Sequence, residues 1–319
     1  MSHWKKLLRT PALSTLLLCF AMLGVAPATN VYAQMPGSAS PVLNGNDVKR
    51  VSEHVYVIRG FPNVEFVVGN RATLAVDTGM GARNGQIVFS AAQKLTKPNA
   101  NLYLTTTHYH AEHASGAQAF PSSTVLLRPV AQQKEMDEHG AEFIERFRNI
   151  SAIYKELLQD AKMRPADVAF DSEVKLDLGD VSARLFWLGP AHTIGDELIF
   201  VEPDSALLSG DIVMSKLVPS MPTPDANPKN WLAILGKIEP LHPHYVIPDH
   251  VKLGDATLIE QERAFRMDLE KRALELKGQG KSVDDAGKQL TAELQMKYPD
   301  WGNFIGIPNA VRRVYEESQ

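Results

Sequence analysis

The segment His108-Tyr109-His110-Ala111-Glu112-His113 brings three imidazoles and one carboxylate into six residues. Nitrogen and oxygen donors of this kind suit Zn²⁺, and a plain apolar core would not accept four such groups side by side. Residues 101–107 read as a strand that leads directly into the cluster, which therefore sits at the C-terminal end of a strand. A sharp turn after Thr107 would let His108 and His110 face one metal while Glu112 and His113 face a second, because a loop re-aims side chains that a straight strand alternates. Two metals then need ligands further along. His192 in Gly189-Pro190-Ala191-His192-Thr193, Asp211 in Ser209-Gly210-Asp211 and His250 in Pro248-Asp249-His250 supply them, each following an apolar strand and sitting among turn residues. His54, His139, His242 and His244 stand singly and receive no role. Asp77 reads as a turn carboxylate accepting backbone N–H groups, and Tyr109 as a packing aromatic.

Outward from the cluster, strand-length apolar segments at 54–59, 64–68 and 72–76 are punctuated by Gly60, Gly69-Asn70 and Gly79, and 86–95 carries helical spacing. Residues 125–128 form another short strand. The charged stretch 129–162, without glycine after Gly140, reads as a helical insertion with Pro129 at its start. A second run of strands is expected at 173–178, 183–188, 198–202 and 206–208, then a helix at 230–238 and a strand at 245–247. The proline-rich stretch 217–228 directly follows the Asp211 strand, as a wall of a pocket would. Helices at 256–276, 283–296 and 307–317 make a C-terminal extension over 255–319.

These residues resemble the metallo-β-lactamase superfamily, whose usual pattern is His-x-His-x-Asp-His followed by a histidine, a bridging aspartate and a final histidine. The resemblance runs over about 51–250 and includes Ala75-Val76-Asp77-Thr78-Gly79. It implies an α/β fold, a four-layer αβ/βα sandwich over 47–254, with metals at one edge. It also implies that His108, His110 and His192 hold a first zinc, that Glu112, His113 and His250 hold a second, and that Asp211 bridges them. Glu112 stands where the family has aspartate, which leaves occupancy of the second site open. The implied chemistry is hydrolysis: water acidified beside a metal, its pKa falling from 15.7 toward about 7, attacks a polarised carbonyl while Glu112 and Asp211 orient it. A β-lactam, lactone or ester fits as substrate. Iron on the same ligands, serving an oxidoreductase, and a non-catalytic metal-binding role are the alternatives.

Residues 1–33 carry Lys5, Lys6 and Arg9 ahead of an apolar core at 16–26, then Val31-Tyr32-Ala33. The core is shorter than the ~20 residues of a spanning helix, so this stretch reads as a secretory signal peptide cut before Gln34, with 34–46 a flexible leader. A periplasmic or secreted protein without stable membrane association is the expectation. The only cysteine, Cys19, falls inside that peptide, so the mature form would have no disulfide and no thiolate ligand. A net charge of −4 with no basic patch excludes nucleic acid as a partner and leaves a small-molecule substrate.

Overall fold

The computed structural model describes residues 40–218, 221 and 223–318; the expected signal peptide lies outside the described residues. Seven strands pair in chain order into one sheet: β1 (Val48–Arg50), β2 (Val55–Ile58), β3 (Val64–Val68), β4 (Ala72–Val76), β5 (Asn101–Thr105), β6 (Val125–Pro129) and β7 (Val168–Phe170). The first four run antiparallel through short turns, and β4 to β7 run parallel. Parallel neighbours need crossovers. Helix α1 (Gly81–Leu95) supplies the one between β4 and β5, and helices α3 (Val130–Arg148) and α4 (Ala152–Leu157) lie between β6 and β7.

The second sheet has the order β12-β11-β10-β9-β8, with β8 (Glu173–Asp177), β9 (Ser182–Trp187), β10 (Glu197–Glu202), β11 (Ala206–Gly210) and β12 (Tyr245–Pro248). Its one parallel pair, β11 with β12, is connected through helix α5 (Pro228–Ile238).

Alternation along each strand splits the apolar residues between two faces. Val67, Leu74 and Val76 face Leu185, Ile199 and Leu208 in a core between the sheets. Phe66, Ala75 and Leu104 turn the other way, onto Val88 and Ala92 of α1. On the far side Leu198, Leu207 and Val246 pack against Trp231 and Ile234 of α5 and against the C-terminal helices α6 (Thr257–Gly278), α7 (Val283–Lys297) and α8 (Ile307–Glu317). The order of layers is therefore helix, sheet, sheet, helix, as the resemblance implies. The C-terminal helices share one buried core with the second sheet through Phe265, Leu269, Leu290 and Val311, so they are its outer layer rather than an appendage.

Two strands had no clear signal in the sequence. β1 and β7 are three residues each, too short for a periodic pattern, and β1 is largely exposed at the sheet edge. Helix α1 starts at Gly81, ahead of the periodic stretch, because the hydroxyl of Ser115 accepts the Gly81 N–H (2.9 Å) and satisfies a donor at the helix start.

Candidate metal centre

Strand direction gathers the candidate ligands. β4 and β5 are parallel, so Asp77 and the histidine segment leave the first sheet at one end. β11 and β12 are parallel, and β9 points the same way after two antiparallel steps, so His192, Asp211 and His250 all follow strand C-termini at one edge of the second sheet. Thr107 O accepts the Glu197 N–H (2.7 Å) and joins the two sheets at that edge. Gly210 has φ +54, and a Cβ there would lie 2.9 Å from Thr107 Cβ, so only glycine lets the β11 end approach the histidine segment so closely.

The expected loop after Thr107 is in part a helix. Residues 107–109 bend, and α2 (Ala111–Ala114) closes one turn with the Ala114 N–H donating to His110 O (3.0 Å). Glu112 and His113 are adjacent on that turn. The turn is tied to the β4–α1 connection, since the Thr78 hydroxyl donates to His113 O (2.7 Å) and accepts the Gly116 N–H (3.0 Å).

All seven expected ligands converge. His108, His110 and His192 form one donor group and Glu112, His113 and His250 another, each with its ligand atoms within 4.8 Å of one another. His110 Nδ1 lies 3.3 Å from His192 Nε2, and His113 Nε2 lies 3.2 Å from His250 Nε2. Asp211 stands between the groups: Oδ2 is 3.4 Å from His192 Nε2 and 4.0 Å from His108 Nε2, and Oδ1 is 3.4 Å from His250 Nε2. Glu112 Oε1 is 3.8 Å from His113 Nε2. Among the described residues, none of His54, His139, His242 and His244 enters a donor group, and His54 instead pairs with Asp204 at 2.6 Å.

This arrangement fits cations. His108 Nε2 and Glu112 Oε2 are buried without a hydrogen-bond partner among the described residues, a costly state for polar atoms unless an ion satisfies them. Nitrogens that face each other at 3.2 Å converge on one point as ligands do. Burial and the neighbouring imidazoles hold His108 and His110 well below the ordinary imidazole range. Such rings are neutral and carry free lone pairs, the form a metal requires. Burial pushes Glu112 up to about 7. Burial would also raise Asp211, but His250 and His192 outweigh it and hold the carboxylate below its usual range.

The sequence pattern of the metallo-beta-lactamase superfamily matches residues 57–250, the span that holds every one of these ligands. The chain belongs to that superfamily. No curated protein sequence matches the chain. Among solved structures, a metallo-beta-lactamase from Pontibacter korlensis superposes with a TM-score of 0.56 at 15% identity, covering 70% of this chain and 99% of its own. The DIM-1 metallo-beta-lactamase gives 0.56 at 18% identity, over 72% of this chain and 98% of its own. The sec-alkylsulfatase Pisa1 from Pseudomonas sp. reaches 0.65 at 15% identity over 85% of this chain, which spans about half of that longer enzyme. At these identities the likeness is one of fold.

Around the superfamily ligands lie residues that the sequence did not place in the site. Asp77, expected only as a turn carboxylate, accepts the Thr107 N–H at Oδ1 (2.7 Å) but also faces His113 Nδ1 with Oδ2 (2.7 Å). Asp249 Oδ2 lies 3.2 Å from the same nitrogen. Burial alone would lower His113, yet these two acids raise it well above the ordinary imidazole range. Burial and Asp77 in turn push Asp249 up to about 7. Phe143 of α3 stacks on His110 with centroids 4.0 Å apart and planes at 6°, and Trp231 meets His192 edge-on at 5.7 Å. Tyr109 packs edge-on against Phe143 in a buried cluster, the packing role expected of it.

Helix α3 is also fastened to the loop that carries His192. Glu135 accepts the N–H groups of Ile194 (2.9 Å) and Gly195 (3.0 Å), and Gln132 donates to Gly195 O (3.1 Å). A Cβ at Gly195 would lie 2.2 Å from Gln132 Cα, so the two backbones touch. Helix α3 is thus tied through Gln132 and Glu135 to the loop that carries His192.

Proposed function

We propose that this chain is an exported hydrolase that uses zinc at both donor groups to split a carboxyl derivative, a β-lactam, lactone or ester, with water. The observation that carries this reading is the position of Asp211, one oxygen toward each group, with six of the seven donor residues buried and His250 part-buried where the two sheets end. Zinc held there would supply Lewis acidity, polarising a carbonyl and acidifying water.

The chain's own residues do the rest. Asp77 accepts the Nδ1–H of His113 and fixes the ring with Nε2 facing His250. Glu112 and Asp211 orient the attacking water and accept its proton. Oxygen from water joins the acyl carbon, the bond from that carbon to the leaving oxygen or nitrogen breaks, and the proton passes to the leaving group. Lys5, Lys6 and Arg9 ahead of the apolar core at 16–26 support export.

The test is to strip the protein with a chelator, restore it with zinc or with ferrous iron, and follow a chromogenic cephalosporin and a simple lactone. Zinc is expected to restore turnover of at least one of them. Restoration by iron alone would overturn zinc as the metal, and iron bound without turnover of either substrate would favour the oxidoreductase assignment instead.

A further inference from the structure

Helix α5 braces the loop that carries His192. The Asn227 N–H donates to Ala191 O (2.7 Å), and Asn230 Nδ2–H donates to Pro190 O (2.8 Å). The next residue, Trp231, is buried and meets the His192 ring edge-on, while its Nε1–H donates to Ile212 O (2.9 Å), one residue beyond Asp211. One indole therefore touches both stretches, the one with His192 and the one with Asp211.

What holds the indole comes from the C-terminal layer. The Arg266 guanidinium of α6 lies over the Trp231 ring, 3.1 Å from its centroid, and its Nε–H donates to Glu262 Oε1 one turn earlier on the helix (2.8 Å). Both side chains are buried, on a helix face whose other buried residues are apolar. Burial lowers Arg266 only to about 10, so it stays charged at neutral pH. Burial pushes Glu262 up to about 7, against Arg266 and the Met214 N–H, which lower it, so Glu262 also meets the stretch that follows Asp211.

A buried ion pair is seldom the most stable filling for such a place, because apolar side chains of similar volume pack as well or better. Here the pair is also incomplete: Arg266 Nη2 and Glu262 Oε2 are buried with no hydrogen-bond partner among the described residues. What it supplies and leucine would not is a flat cation on the indole face, whose attraction to the ring sets the plane of the indole. With that plane set, Nε1–H stays aimed at Ile212 O and the rim stays against His192. Both charged residues lie beyond 57–250, so the superfamily pattern does not call for them.

We propose that Arg266 is a positioning residue for the first donor group, holding Trp231 against His192 and the Asp211 stretch so that the C-terminal layer sets how tightly the first metal binds. This rests on the part of the reading above that puts zinc at the first group, and not on what is hydrolysed.

The experiment is competition of the zinc-loaded full chain with a chelator, the two affinities being assigned with His110→Ala, together with visible spectra of the cobalt-substituted protein. Arg266→Met keeps a straight apolar stem and removes the flat cation; it should weaken the first metal about tenfold, leave the second within about twofold and change the cobalt bands. Arg266→Lys, charged but not planar, should fall between the two. Trp231→Phe keeps a ring and loses only the donor to Ile212 O; it should weaken the first metal about fivefold, and it carries the test if Arg266→Met does not fold. Unchanged first-metal affinity and cobalt bands in Arg266→Met, with any loss confined to melting, would make the residue a packing element and overturn the proposal. Equal weakening of both metals would overturn it too. Wild-type protein that takes no metal at the first group takes down the metal reading and this proposal together. Affinity is read without turnover, so a chain that binds two zinc ions and hydrolyses neither test substrate loses only the hydrolase reading.

Discussion

The two donor groups are supported by different chemistry. His110 and His192 rest on aromatic carbon, with Phe143 flat on His110 and Trp231 at the edge of His192. In the other group His113 rests on acids, with Asp77 and Asp249 both at its Nδ1, while the His250 ring lies against Phe61. In the first group packing sets His110 and His192, and burial makes His108 and His110 weak bases. In the second, carboxylates set the ring and make it a strong base. A metal at the first group gains little from nearby charge apart from Asp211, whereas a metal at the second meets negative charge already in place. Each group should therefore fail in its own way when its support is cut.

The largest effect is expected from His110→Ala, which removes a first-group ligand. Metal content should fall by one ion and turnover by more than about a hundredfold, beyond what loss of an outer-shell partner produces. Phe143→Ala comes next, at about 3 kcal/mol of stability for an emptied buried aromatic position, read by denaturant unfolding. It should weaken the first metal more than the second. Asp77→Asn removes the acid behind His113 and should weaken the second metal about 10–100-fold while sparing the first, as competition with a chelator would report. Equal weakening of both metals by either variant would erase the contrast between the groups.

Glu112→Asp sharpens it further. The superfamily pattern alone favours aspartate, but Glu112 Oε1 already lies 3.8 Å from His113 Nε2, and an arm shorter by one methylene would withdraw it by roughly 1.5 Å, one carbon–carbon bond. Metal ligation tolerates only about 0.2 Å, so the second metal should bind about tenfold more weakly. Tighter binding would mean that the turn carrying Glu112 can advance.

The smallest effect belongs far from the metals. Arg272 of α6 holds Glu293 of α7 at 2.7 Å, and with Gln289 it pulls this carboxyl down to about 2. A depressed carboxyl stabilises the fold above its unfolded value near 4.5, and that contribution is lost as pH falls toward 2. The pair is largely exposed, so Glu293→Gln should cost less than about 1 kcal/mol at neutral pH, and the gap to wild type should close in acid. A constant gap would place the loss in packing.

The ligands were legible because each is a hydrophilic residue directly after an apolar strand, and because three histidines and a glutamate in six positions have no use in an ordinary core. Their supports were not. Asp77 and Asp249 look like any turn acid, and only the parallel pairing of β4 with β5 and of β11 with β12 brings both to His113. Phe143 and Trp231 carry the same signal as every other buried aromatic. Arg266 is one charged residue on a charged helix, and its place on Trp231 depends on the packing of α6 against α5 that no local pattern announces. The C-terminal helices were expected from their periodicity, but their share in bracing the first group depends on the tertiary packing of Phe265 and its neighbours.

The most direct test of the account is zinc titration of the chelator-stripped chain with turnover followed at each step. Uptake of two zinc ions per chain, with hydrolysis appearing as they bind and vanishing when they are removed, is the result predicted. A chain that takes up no zinc, or one that hydrolyses its substrate equally well with the chelator present, would contradict it.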